Sequence, residues 1–288
     1  MVDFVQALVD GVMLGATYSL LGLGFTLIFG VLRRPNLAFG PTILVGLYAG
    51  SLVSQRWPGM LSAAVAATLG AVLLTSVYVE RCSFWALRHQ APVVSMISSF
   101  AVSMQLQELI ALMAPSRTMA YPAPAWLPTL SLGPLLFRAD ALLMWSGATL
   151  IMLGLFALLY RTRLGTAIRA LSDSAEAATL MGIDVGALGA AAFLLASAVG
   201  GVAGILIVTS QQQITPYFGL WATVKGLTAM LLGGAGSLPG AVVGGIVLGV
   251  VETQTLWHLG GQFRDLAAYA LLFLAVALAP RVSRGRAL

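Results

Sequence analysis

Three ionisable side chains, Glu108, Lys225 and Glu252, lie inside long runs of apolar residues. A charge in such a run is costly and is kept for a solute pathway, a proton relay or a partner of opposite sign. Glu108 does not stand alone. Ser98, Gln105 and Glu108 recur at i, i+7 and i+10, which puts them on one side of a helix, and Gln107 adjoins that line. Inside a bilayer a polar stripe faces protein or water, so it either bonds helices together or lines a path. Lys225 has two outlets as well: pairing with a carboxylate, or extending its stem to an interface beside Trp221. Catalysis, by contrast, lacks materials. Cys82 is the single cysteine, which excludes an intramolecular disulfide and a cysteine-built metal cluster, and His89 and His258 border different apolar runs. The chain has no Gly-x-x-x-x-Gly-Lys-Ser/Thr loop to hold nucleotide phosphates, no Gly-x-Ser-x-Gly elbow and no His-Glu-x-x-His helix. These residues favour handling a solute over transforming one, with no catalytic, metal or cofactor site. Energy for transport then has to come from a partner or an ion gradient.

The elements that position these groups are set by composition. Of 288 residues, 59% are hydrophobic and 9% charged, against about 25% charged in soluble domains. The chain therefore reads as an all-α integral membrane protein, one membrane domain over residues 1–288. Its 32 glycines suit helices that approach closely through small residues. Apolar runs at about 4–29, 37–54, 60–79, 93–113, 140–160 and 186–209 are read as crossings, since a core of about 30 Å needs roughly 20 helical residues, and a last, short run at 266–279 as a net inward crossing. The first run lacks a basic leader and carries Asp3 and Asp10, which argues for an uncleaved span with its N-terminus outside. Residues 114–139, with prolines at 115, 122, 124, 128 and 134, form an external non-helical loop. The stretch 222–256 is broken at Gly233-Gly-Ala-Gly-Ser-Leu-Pro-Gly240. Gly233, Gly234, Gly236, Ser237, Pro239 and Gly240 cannot all continue a helix comfortably, so this region is a re-entrant pair or two short spans. About eight membrane segments result. Ten of the fifteen basic residues then fall in cytoplasmic loops and a cytoplasmic C-terminal tail, the positive-inside pattern, so the charge of +5 is a topology signal and not a nucleic-acid one.

One polar island, residues 161–185, interrupts this lipid-facing design. Its first half repeats Leu164, Ile168 and Leu171 at helical spacing among Arg161, Arg163 and Arg169. In its second half Asp173 is read as N-cap with Glu176 as the capping-box partner, and Gly182 as the C-terminal cap. Ala177, Leu180 and Met181 make a small apolar face between them. So short a helix is not stable alone, so the face either docks in a groove of another protein or packs back on its own bundle.

Glu176-Ala177-Ala178 followed by Gly182 resembles the EAA loop of permease subunits of ABC importers. Further stretches resemble the branched-chain amino acid permease family, in its shorter permease type. These are Gly15-Ala-Thr-Tyr-Ser-Leu20, Gly24-Phe-Thr-Leu-Ile-Phe-Gly30, Asn36-Leu-Ala-Phe-Gly40, Thr215-Pro-Tyr-Phe-Gly219, and Lys225-Gly226 with Gly233 to Ala241 and Glu252. The resemblance implies a multi-pass subunit of a bacterial-type inner membrane that moves branched-chain or other small amino acids, urea or amides. It also implies a second permease, two cytoplasmic ATPase subunits that hydrolyse the ATP, and an external substrate-binding protein. Asn36, Ser98, Gln105, Gln107, Glu108, Lys225 and Glu252 are the candidate path residues. Asp173, Glu176, Ala177, Ala178, Leu180, Met181 and Gly182 are the candidate ATPase-coupling residues. An ion-coupled secondary transporter, with Glu108 and Glu252 as coupling acids, is the competing class.

Overall fold

In the computed structural model, residues 2–113, 118–122, 130–132, 135–137 and 139–284 are described. Pro115, Arg117, Pro124, Trp126, Pro128, Pro134, Arg138 and Arg286, all residues of the expected loop or tail, lie outside them. The chain forms α1 (Val2–Leu32), α2 (Phe39–Arg56), α3 (Leu61–Val79), a π-helical turn (Glu80–Trp85), α4 (Pro92–Met113) and α5 (Ala139–Arg161). It continues with α6 (Arg163–Asp173), α7 (Ala175–Leu180), α8 (Val185–Gln211), α9 (Phe218–Gly233), α10 (Leu238–Leu259) and α11 (Arg264–Arg284). Among the described residues six helices are long and apolar enough to cross a bilayer, and α9 is a shorter apolar helix. The protein is a multi-pass helical bundle, and the expectation of about eight segments is an approximate fit to it.

α1 and α8 are the enclosed helices, with 83% and 72% of their most apolar stretch buried, whereas α3 and α5 are peripheral at 28% and 22%. Close approach explains the centre. A Cβ added at Gly15 would lie 2.6 Å from the Ile246 Cα, and one at Gly11 2.8 Å from the Val250 Cα, so α1 and α10 pack antiparallel backbone to backbone. Ser19 Oγ donates to the Val242 carbonyl across the same seam at 2.8 Å. With no hydrophobic effect to separate helix from lipid, such small-residue contact is what holds helices together.

Two stretches read from the sequence take definite form here. The break at 233–240 is a turn through residues 234–237 between two separate helices, the shorter α9 and the longer α10, of which only α10 is long and apolar enough to cross a bilayer. Gly234 and Gly236 both have φ +90, a region closed to most side chains, and Ser237 caps α10 by accepting the Gly240 N–H at 3.2 Å. The turn is exposed and sits beside Ser172 and Asp173 of α6, so its irregular backbone is at the end of the bundle. The third span, expected to stop near 79, continues through the π turn. Arg34 holds the turn that follows, its guanidinium donating to the carbonyls of Leu87, Arg88 and Gln90 at 2.8, 2.8 and 3.0 Å. Phe84 in the π turn is buried against Phe193, ring centroids 5.2 Å apart.

The described parts of the proline-rich loop are extended. β1 (Met119–Ala120) pairs antiparallel with β4 (Gln213–Ile214), and β2 (Leu130–Leu132) with β3 (Leu135–Phe137). Tyr121 is buried, its hydroxyl 3.0 Å from Thr68 Oγ1, and Ser51 Oγ donates to the Ala120 carbonyl at 2.7 Å. The loop is thereby pinned to α2, α3 and the end of α8.

Candidate translocation and coupling sites

Four helices bring a compact set of charges together inside the bundle. Lys225 on α9 and Glu252 on α10 are 1% and 0% exposed, and Lys225 Nζ donates to Glu252 Oε1. The other carboxylate oxygen accepts from the Tyr18 hydroxyl of α1 at 2.8 Å and from Arg264 Nε of α11 at 3.1 Å. Arg264 Nη2 donates in turn to the Tyr18 hydroxyl at 3.0 Å, and Lys225 Nζ lies 3.3 Å from Asp265 Oδ1. The ammonium also stands 5.4 Å from the Trp221 ring centre. Two cations and two carboxylates balance, and both oxygens of Glu252 are engaged, which is what makes buried charge tolerable. Of the two outlets open to Lys225 in the sequence, the carboxylate partner is the one used. Tyr18, Arg264 and Asp265 escaped sequence reading. The sequence carries one signal for them, the Arg264-Asp265 pair just before the last apolar run.

The polar stripe of α4 resolves into two faces. Ser95, Ser99 and Ser103 are buried in the bundle, where Ser95 Oγ accepts from Arg34 Nη1 at 2.5 Å and Ser99 Oγ accepts the Leu37 N–H at 3.2 Å. Ser98, Gln105 and Glu108 point elsewhere. Ser98 Oγ donates to Ser83 Oγ at 3.1 Å, and Gln105 Oε1 accepts from the Tyr78 hydroxyl of α3 at 2.9 Å. Gln105 and Glu108 are exposed and Gln107 is half-buried. Gln105 and Glu108, without Gln107, join Tyr78 in lining a groove of about 660 Å³ on α2, α3 and α4, whose other walls are mainly aliphatic. Asn36 is apart from all of these: it is buried, and its Oδ1 accepts the Ala38 N–H at 2.9 Å, holding the turn into α2.

The polar island folds as α6 and α7. Thr162 caps α6 by accepting the Gly165 N–H at 3.1 Å, and Ile168 and Leu171 are buried against the bundle. The N-cap of α7 is Ser174, not Asp173; its Oγ accepts the Ala177 N–H at 3.2 Å. Asp173 is the last residue of α6, and the backbone becomes extended only at Ser174 (φ −154, ψ 114), the geometry a cap needs. Glu176 then falls one position early for a capping box and is exposed in the first turn. The far end follows the sequence. Gly182 has φ +79, its N–H reaches the Thr179 carbonyl at 3.0 Å, and Ile183 N–H reaches Ala178 at 3.1 Å, the paired bonds of a Schellman stop. Ala178 turns inward at 1% exposure while Leu180 and Met181 stand out at 89% and 79%, and Ala177 is exposed. Arg33 anchors the junction, donating to the carbonyls of Ser172 and Asp173 at 3.1 and 3.2 Å. Beside α7 a cavity of about 660 Å³ separates Ala175 and Thr179 from Glu80, Phe84, Trp85 and Arg88 of the π-helical region.

Residues 7–278 match the protein family described as branched-chain amino acid transport system / permease component. The chain is 31% identical to the high-affinity branched-chain amino acid transport system permease protein LivH of Escherichia coli K12, over 98% of its own length and 96% of the relative's. It is equally identical to the permease protein BraD of Pseudomonas aeruginosa, with the same coverage. Among solved structures it resembles PsaBC from Streptococcus pneumoniae, with TM-score 0.52 and 13% identity over 96% of this chain and 91% of that one; at this identity the likeness shows the fold.

Proposed function

Because the chain belongs to the family of branched-chain amino acid transport system permease components, we propose that it forms half of the membrane path of an ATP-binding cassette importer for branched-chain or other small amino acids. Permeases of this family work with ATPase and substrate-binding partners. In this reading the other half is a second, different permease. Two cytoplasmic ATPases hydrolyse the ATP, none of which this chain binds, and an external protein delivers the substrate. α7 faces the cytoplasm, as does the C-terminus, and the N-terminus is outside. The observation that carries the reading is α7 itself. Capped at both ends and tied down by Ala178, it leaves Leu180 and Met181 almost wholly exposed, which suits insertion into a partner groove. Gln105 and Glu108, polar side chains facing away from their own bundle on a helix long and apolar enough to cross a bilayer, line the path. Lys225 and Glu252 brace the helices around it.

The closed charge cluster speaks against the ion-coupled alternative, since Glu252 has its pairing needs met within the chain. Uptake by vesicles distinguishes the two. The importer needs ATP on the side of the ATPases and keeps working when an ionophore collapses the ion gradients. Uptake that stops with the ionophore at constant ATP overturns the proposal.

A further inference from the structure

Glu108 has no hydrogen-bond or ionic partner among the described residues, yet it is exposed on a helix within the membrane domain. A carboxylate cannot be left facing lipid, so something of complementary chemistry or water covers it. Its surroundings narrow the choice. The groove of about 660 Å³ joins it to Gln105 and Tyr78 and is otherwise walled mainly by aliphatic side chains such as Leu74, Leu109 and Leu112, with no cation on its lining. Tyr78 spends its hydroxyl proton on Gln105 Oε1. That bond orients the carboxamide and leaves its Nε2 protons for another acceptor. An anionic wall group, an amide donor one turn away and an aliphatic floor are therefore presented together to whatever enters.

We propose that the α3–α4 groove is a substrate subsite in which Glu108 receives the ammonium of the passing solute and the leucines its aliphatic side chain. The class of ligand is a primary ammonium bearing a short aliphatic chain; anions are repelled, and urea and amides lack the charge Glu108 requires. This rests on the reading of α4 as path-lining and adds a specificity-determining residue to it. Gln105 is a positioning residue that sets the carboxamide beside the carboxylate.

The test uses the permease and ATPase complex in nanodiscs without its binding protein, so that millimolar ligands reach the groove directly. Leu112→Cys, which lies on the lining of the same groove and leaves Glu108 in place, is made in a Cys82→Ser background and treated with a hydrophilic cationic methanethiosulfonate. Expected is labelling that slows with leucine and with isoamylamine, which keeps the ammonium and the chain, but not with isocaproate, which lacks the ammonium. In the full importer with its binding protein, Glu108→Gln lowers the maximal leucine uptake rate about tenfold or more, as loss of a charged hydrogen bond does. Its half-saturating concentration stays unchanged, and Glu108→Asp recovers most of the rate. Co-purification of the ATPases reports assembly of each variant. Absence of labelling overturns the path reading itself, because protein or lipid then seals the groove beside Glu108. Labelling that leucine does not slow, or that isocaproate slows equally, together with a Gln variant at full rate, leaves the path standing and overturns ammonium recognition.

Discussion

A lysine and a glutamate enclosed at 1% and 0% exposure survive because each offsets the other's lost hydration. The cluster is not symmetric. Without Lys225, Glu252 still holds Arg264 and Tyr18; without the Glu252 charge, Lys225 and Arg264 face each other with Asp265 as the remaining carboxylate. Glu252→Gln should therefore destabilise the purified chain by about 3–5 kcal/mol, the range for stranding a buried charge, and Lys225→Met by distinctly less. The double variant should be less damaged than the two losses added together. Thermal unfolding in detergent checks the order, and equal losses for the two single variants would contradict the asymmetry.

At the scale of the element, α7 is short enough that its caps decide whether it exists. Gly182 occupies φ +79, where a side chain costs about 1–2 kcal/mol, and Ser174→Ala removes a cap worth about 1 kcal/mol. Both changes are local. Glu176→Lys combined with Gly182→Pro should abolish ATP-driven uptake while the chain still inserts, since the bundle holds α7 chiefly through Ala178. Unimpaired uptake in that double variant refutes the coupling role. Leu180→Asp with Met181→Asp tests the exposed face more directly: the ATPase should no longer co-purify, although the membrane content of the permease is unchanged.

Glycine has two meanings across the whole molecule, and only packing separates them. Gly15 and Gly11 lie where a Cβ would strike the backbone of α10, whereas a Cβ at Gly70 or Gly154 meets nothing within 4 Å. Gly15→Val should thus lower stability by about 1–3 kcal/mol or more through overpacking, while Gly70→Val and Gly154→Val in the isolated chain stay within about 1 kcal/mol. Melting of the solubilised single variants checks the contrast. A similar loss at all three positions would mean that helix propensity, not the α1–α10 seam, sets the cost.

Much of this molecule was legible in the sequence because bilayer physics is local: a run of apolar residues long enough to cross must be helical wherever it sits, and a Gly after a short capped helix stops it. The apolar runs became α1 to α5, α8, α10 and α11, and Gly182 ends α7. Tertiary structure decided what depends on residues distant along the chain. It chose Glu252 as the partner of Lys225 and brought in Tyr18 and Arg264, 234 and 12 residues from Glu252. It carried the third span on through Trp85 and fixed the turn after it with Arg34, far away in sequence, which bonds the carbonyls of Leu87, Arg88 and Gln90. It moved the cap of α7 one residue, to Ser174, because packing of α6 against the bundle carries that helix through Asp173. On α4 it separated the serines that face the bundle from Gln105 and Glu108, which face away, a distinction that spacing on one helix cannot make without knowing where its neighbours stand.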